Sequence, residues 1–97
     1  MTFRFLPPAE AELLEGISYH AAIGPELGTR FSQAVAEAVR SAVANPERVA
    51  PRSRNTRRWL IKRFPFGVIH TAGESGVLIV AVAHQRKMPE YWAGRIK

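Results

Sequence analysis

Seven consecutive apolar residues, Val77 to Ala83 (VLIVAVA), constrain this chain more than any other stretch. The run is far shorter than the roughly 20 residues of a membrane helix and suits a strand buried on both faces, at the centre of a sheet. His84, Gln85, Arg86 and Lys87 follow directly, so polar chemistry emerges where the buried strand ends. Pro89, Tyr91 and Trp92 then close the segment as a short, stiff, aromatic stretch. A rigid strand is a good mount for functional side chains, which makes this junction the first candidate site.

The rest of the chain supplies the partners of that strand. Thr2 to Leu6 alternates Phe3 and Phe5 around Arg4 and stops at Pro7-Pro8, the pattern of a short first strand. A helix follows from Pro8, with Glu10 and Glu12 at the positive end of its dipole and an apolar stripe of Leu14, Ile17 and Ala21. Gly24-Pro25 ends it. A second helix runs from Pro25 to Ala44, with Leu27, Phe31, Val35, Ala38, Val39 and Ala42 along one face and Arg30, Glu37 and Arg40 on the other. Asn45-Pro46 stops it, so the two helices form a hairpin that needs a surface to cover.

Three strand-like segments supply that surface: residues 57–64, 66–71 and 76–83, joined by connections short enough for hairpins. In the first, RRWLIKRF, alternation puts Trp59 and Ile61 on one face and Leu60 and Phe64 on the other, each with flanking cations. That strand is expected to be less fully covered than the apolar run. The order strand, helix, helix, strand, strand, strand gives an α+β domain, with the helical hairpin on one face of a small, mainly antiparallel sheet. One domain occupies residues 1–97.

Charge is divided unevenly between the halves. Residues 1–47 hold three basic side chains against six glutamates, a net of −3, whereas residues 48–97 hold eleven against two, a net of +9. Seven of those eleven (Arg48, Arg52, Arg54, Arg57, Arg58, Lys62 and Arg63) lie in one sixteen-residue window without an acid. Such a window either attracts phosphate or carboxylate partners or serves as a solvated basic surface. The chain has no cysteine, which removes disulfides and thiolate metal sites and makes a reducing cytoplasm the simplest compartment. The start, MTFRFLPPAEAELLE, lacks the basic head and apolar middle of a signal peptide, and no membrane partner is expected.

No cofactor motif is present. His20, His70 and His84 are not spaced as a metal set, and Gly73-Glu74-Ser75-Gly76 reads as a hairpin turn rather than a nucleophile elbow. His84, where the buried strand ends, reads either as a hydrogen-bonded packing residue or as a general acid. Trp59 reads as sheet packing or as a stacking platform for a base.

Element order and residues together resemble the ParE/RelE superfamily of small toxins from bacterial type II toxin–antitoxin modules, also called plasmid stabilisation systems. The resemblance rests on PPAEAELLEGISYH in the first helix, GPELGTRFSQAV opening the second, NPERVAP after it, RRWLIKRFPFGVI in the sheet and the closing AVAHQRKMPEYW. It implies a toxin neutralised by a cognate antitoxin whose flexible acidic segment folds onto it, with a toxin–antitoxin hetero-oligomer as one outcome.

Two activities occur within that superfamily. RelE-like members cut messenger RNA on the ribosome with scattered cations and a late tyrosine. Arg86 fits the strand-exit arginine of that pattern, while Gly67 stands where a middle-strand arginine is expected and Trp92 aligns with the late aromatic, leaving Tyr91 one residue off. Lys62, Arg63 and His84 are the available substitutes. ParE-like members instead poison DNA gyrase and need only a recognition surface, for which Arg57, Arg58, Trp59, Arg86, Lys87, Tyr91 and Trp92 are the candidates. The incomplete nuclease set favours gyrase over the ribosome as target. A basic nucleic-acid-binding module without toxicity is the third reading.

Overall fold

The computed structural model describes residues 2–96. Strand β1 (Phe3–Phe5) leads into helices α1 (Pro7–Ile23) and α2 (Pro25–Ala44), followed by strands β2 (Arg57–Leu60), β3 (Phe66–Gly73) and β4 (Gly76–His84). Single 3-10 turns lie at Ser53–Asn55 and Ala93–Arg95. Proline occupies the first turn of each long helix, where a missing N–H leaves no bond unmade. The backbone N–H of Gly24 closes α1 by donating to the His20 carbonyl at 3.0 Å, and α2 turns back from there.

The sheet runs in the order β1-β4-β3-β2, so the apolar run is a central strand. β2, β3 and β4 form the expected antiparallel meander, and β1 adds to β4 in parallel through Phe3↔Val77 and Phe5↔Ile79. Gly73 pairs with Gly76 across the Glu74-Ser75 turn, and Gly76 takes a φ of 125°, which a side chain would strain. Among the described residues, no helix is long and apolar enough to cross a membrane.

Helices cover one face of the sheet. Phe31, Val35, Ala38 and Val39 of α2 and Ala9 of α1 pack on Val68, Val77, Ile79 and Val82. The inward face of α1 differs from the expected stripe: Ala9, Gly16 and His20 are buried, while Leu14 is 59% exposed and Ala21 is also exposed. α1 carries apolar residues all round, so periodicity alone did not select its inner face. Close approach to α2 does, because a Cβ at Gly16 would stand 2.5 Å from Phe31 Cε2.

The other face is covered by the end of the chain. Ile69, Val80, Ala81 and Ala83 pack with Trp92, flanked by Leu78, Tyr91 and Ile96. A strand apolar on both sides needs two covers, and the helices provide one. The cost falls on an expectation: Trp92, read as a recognition anchor, is only 5% exposed and belongs to this second core.

β2 is shorter than expected. Pairing stops at Leu60, and residues 61–65 form a turn in which Arg63 has a φ of 70°. The turn cancels the parity that put Phe64 beside Leu60: Phe64 packs edge-on against Phe31 at 5.2 Å, whereas Leu60 is exposed. Ile61 is buried and Trp59 half-buried in the helix-side core.

Candidate functional site

β1 ends where Pro7 and Pro8 begin a helix, and this leaves the lower half of the central strand without a neighbour on one side. The pairing of β4 with β3 also shifts there, from Ile69↔Ala81 to His70↔Ile79, so Val80 is an extra, bulged residue. Side chains complete the edge. Arg95 Nη1 donates to the Val80 carbonyl at 3.0 Å, and the Val82 N–H donates to Glu12 Oε1 at 3.0 Å. Arg95 grips the Glu12 carboxylate through Nη1 at 2.8 Å and Nη2 at 2.9 Å, while the Tyr91 hydroxyl donates to Oε2 at 2.6 Å.

One carboxylate therefore joins α1, β4 and the closing segment. Burial is the largest influence on Glu12 and pushes its pKa up, but the bonds from Arg95, Tyr91 and Val82, with the Arg95 charge, outweigh it and hold the group below its usual range. Burial, then the bond to Glu12, drives Tyr91 well above the ordinary phenol range. The bond to Glu12 raises Arg95 further. At neutral pH the cluster is a carboxylate, a guanidinium and a neutral phenol, all mutually bonded.

Beside this cluster, between the closing segment and the loop that precedes β2, lies a cleft of 480 Å³. Ile69, Ala83 and Trp92 line it, along with Arg52, Arg58, His84 and Lys87. Arg58 is set by the strand beside it: a Cβ at Gly67 would stand 2.7 Å from Arg58 Cγ and 2.8 Å from Cδ, so the arginine stem lies across bare backbone. The loop carrying Arg52 is fixed by its own bonds. The Arg52 N–H donates to the Thr56 carbonyl at 2.7 Å, Thr56 Oγ1 to the Ser53 carbonyl at 2.7 Å and Thr71 Oγ1 to the Asn55 carbonyl at 2.8 Å.

The histidines divide by environment. His20 is buried, stacks on Phe31 at 4.5 Å and donates from Nδ1 to the Gly16 carbonyl at 2.7 Å. His84 Nδ1 accepts the Arg86 N–H at 3.0 Å, which places the His84 proton on Nε2 when the ring is neutral. His70 is fully buried, and neither ring nitrogen has a hydrogen-bond partner among the described residues. Burial and then the Arg57 charge lower its pKa below 6.5. Its contribution to stability is therefore full above pH 6.5 and falls as the pH drops towards the lowered folded value, because the unfolded chain binds that proton more readily. Urea titrations of the parent and of His70→Leu from pH 8 to 5 are expected to show a decline in the parent that the variant lacks.

The structure separates the residues picked from the sequence. Arg58, Lys87, His84, Tyr91 and Trp92 line the cleft. Lys62 and Arg63 instead line a groove beside α2 with Leu27, Arg30 and Glu37. Arg86 is exposed and lines neither. Trp59, next to Arg58 in β2, faces the helices, and Arg57 donates from Nη1 to the Val49 carbonyl and to the Glu47 carbonyl at 3.2 Å, clamping the preceding connection. Glu12 and Arg95 were not picked as site residues from the sequence, and Arg52 entered only as part of the basic window. A first strand of three residues beside a nine-residue central strand was the available signal that edge groups needed partners.

The fold has known counterparts. A chain of the chromosomal ParDE TA system from P. aeruginosa superposes with a TM-score of 0.75 at 23% identity, covering 87% of this chain and 95% of that one. No curated protein sequence gives a significant match. The family described as the ParE toxin of the type II toxin–antitoxin system parDE matches residues 3–89. With nearly its whole length matched, this chain belongs to the ParE toxin family of type II toxin–antitoxin systems.

Proposed function

We propose that the chain inhibits DNA gyrase by binding it, without cleaving RNA, and that a cognate antitoxin with a flexible acidic segment neutralises it. The observation that carries this reading is the commitment of Tyr91: its hydroxyl is bonded to Glu12, and Arg95 at 5.1 Å and Lys87 at 5.3 Å sit over its ring. A phenol so held is not free to act on a phosphate. Lys62 and Arg63 lie on a different groove from His84, so the nuclease candidates do not converge on one reacting atom. Binding needs no such convergence, and membership of the ParE family favours gyrase as the target. The net +6 charge suits an acidic neutralising segment.

The purified chain, in excess over gyrase, is expected to stop ATP-dependent supercoiling of relaxed plasmid, and preincubation with the antitoxin is expected to restore it. Normal supercoiling at excess toxin would overturn the target. Primer extension on cellular messages after induction gives the second reading: codon-dependent cuts would mean a ribosome-dependent nuclease instead.

A further inference from the structure

The cleft on the second face of the sheet carries Arg58 and Lys87, two of the residues picked as target contacts, and its charge points to a ligand class of its own. Arg52, Arg58 and Lys87 converge on it and form no ion pair among the described residues. The single acid of its lining, Glu90, is turned to Arg54 at 3.9 Å. Like charges gathered without a counterion repel one another, so an arrangement that holds them together favours an anion between them. Two of the three are also held from behind: Arg58 lies across Gly67, and the Arg52 backbone is tied to Thr56. For Arg58, little side-chain ordering remains to be done when an anion arrives.

The cleft is not purely ionic. Met88, 76% exposed, stands on its rim, and Pro51 and Pro89 also line it. A nucleotide offers both parts that such a lining complements, a phosphate for the cations and a flat, weakly polar base for the apolar rim. A run of glutamates complements only the first. Trp92 is buried and the half-buried Tyr91 ring is occupied by Arg95 and Lys87, so neither serves as an open platform that would select a particular base.

We infer that this cleft binds single-stranded nucleic acid through its phosphate backbone, with little sequence preference, using Arg58, Arg52 and Lys87. The site adds a nucleic-acid contact to a protein whose proposed target is another protein, and it stands or falls without reference to gyrase.

The test is fluorescence anisotropy of labelled dT and rU 12-mers with the purified chain across a salt series. Binding is expected at 50 mM salt for both oligomers, with log affinity falling by about 0.7 per phosphate engaged, hence a slope near −2 for three cations. Arg58→Ala with Lys87→Ala is expected to weaken binding about tenfold or more and to flatten the slope. Arg30→Ala with Arg40→Ala, which removes the same charge from α2, is expected to leave both unchanged. Circular dichroism of each variant confirms the fold. Absence of binding at 50 mM salt, or equal losses in the two double variants, would overturn the inference. Tighter binding of a glutamate-rich 12-mer peptide than of the oligonucleotides would also overturn it, assigning the cleft to an acidic polypeptide.

Discussion

Replacing Glu12 with alanine is expected to remove about 3 kcal/mol of stability, a large share of the roughly 5–15 kcal/mol that holds a small domain folded. The carboxylate is the common acceptor for Arg95, Tyr91 and the Val82 N–H, so its loss strands a guanidinium, a hydroxyl and a strand edge at once. Glu12 and Arg95 retain 15% and 19% of their side-chain exposure, and that residual solvent access puts the loss at the low end for breaking a buried pair. Tyr91→Phe is expected to cost only about 1 kcal/mol, since Arg95 still satisfies the carboxylate. The double variant Glu12→Ala with Arg95→Ala should lose less than the two single losses combined, because no unpaired charge remains. Urea unfolding of the parent and the four variants measures all of this. Strict additivity would mean that the cluster is not a coupled unit.

The same cluster sets an acid limit. Glu12 is held below its ordinary value of 4.5, so its contribution is present above that pH and is lost as the pH falls through the lowered folded value. The effect of His70 sets in first, as the pH falls below 6.5.

What could be read from the sequence follows from how local each signal is. The bounds of α2 were legible because Gly24-Pro25 and Asn45-Pro46 punctuate it and its apolar face is clean. The central strand was legible because few structures accept seven apolar residues in a row. The inner face of α1 was not, since Leu14, Tyr19 and Ile23 make its outer face apolar too. The site was half legible. Val77 to Trp92 was taken as one functional block, and His84, Lys87 and Tyr91 do line one cleft, but Trp92 belongs to the core: the apolar run announced a second face to bury without saying which residue covers it. Glu12 and Arg95 lie 83 residues apart, and no local pattern ties a helix glutamate to an arginine at the end of the chain.

Phe31→Ala should be among the most damaging single changes, at about 3–5 kcal/mol. The ring is fully buried, stacks on His20 at 4.5 Å and meets Phe66 at 4.9 Å, so it joins both helices to the sheet. It also explains Gly16. Alanine in mid-helix is ordinarily favoured over glycine by about 1 kcal/mol, but here the added methyl would press on the Phe31 ring, and overpacking of this kind costs about 1–3 kcal/mol. Gly16→Ala is therefore expected to destabilise the parent. In the Phe31→Ala background the obstruction is gone, and the same methyl fills part of the vacated space while regaining its helix preference. There Gly16→Ala is expected to stabilise by up to about 1 kcal/mol, a reversal of sign. If Gly16→Ala has the same effect in both backgrounds, the approach of α1 to α2 is set by something other than the Phe31 ring. If the sign reverses, a glycine that looks like a weak point in α1 is what seats the helix on the sheet, and with it the carboxylate of Glu12 at the edge of β4.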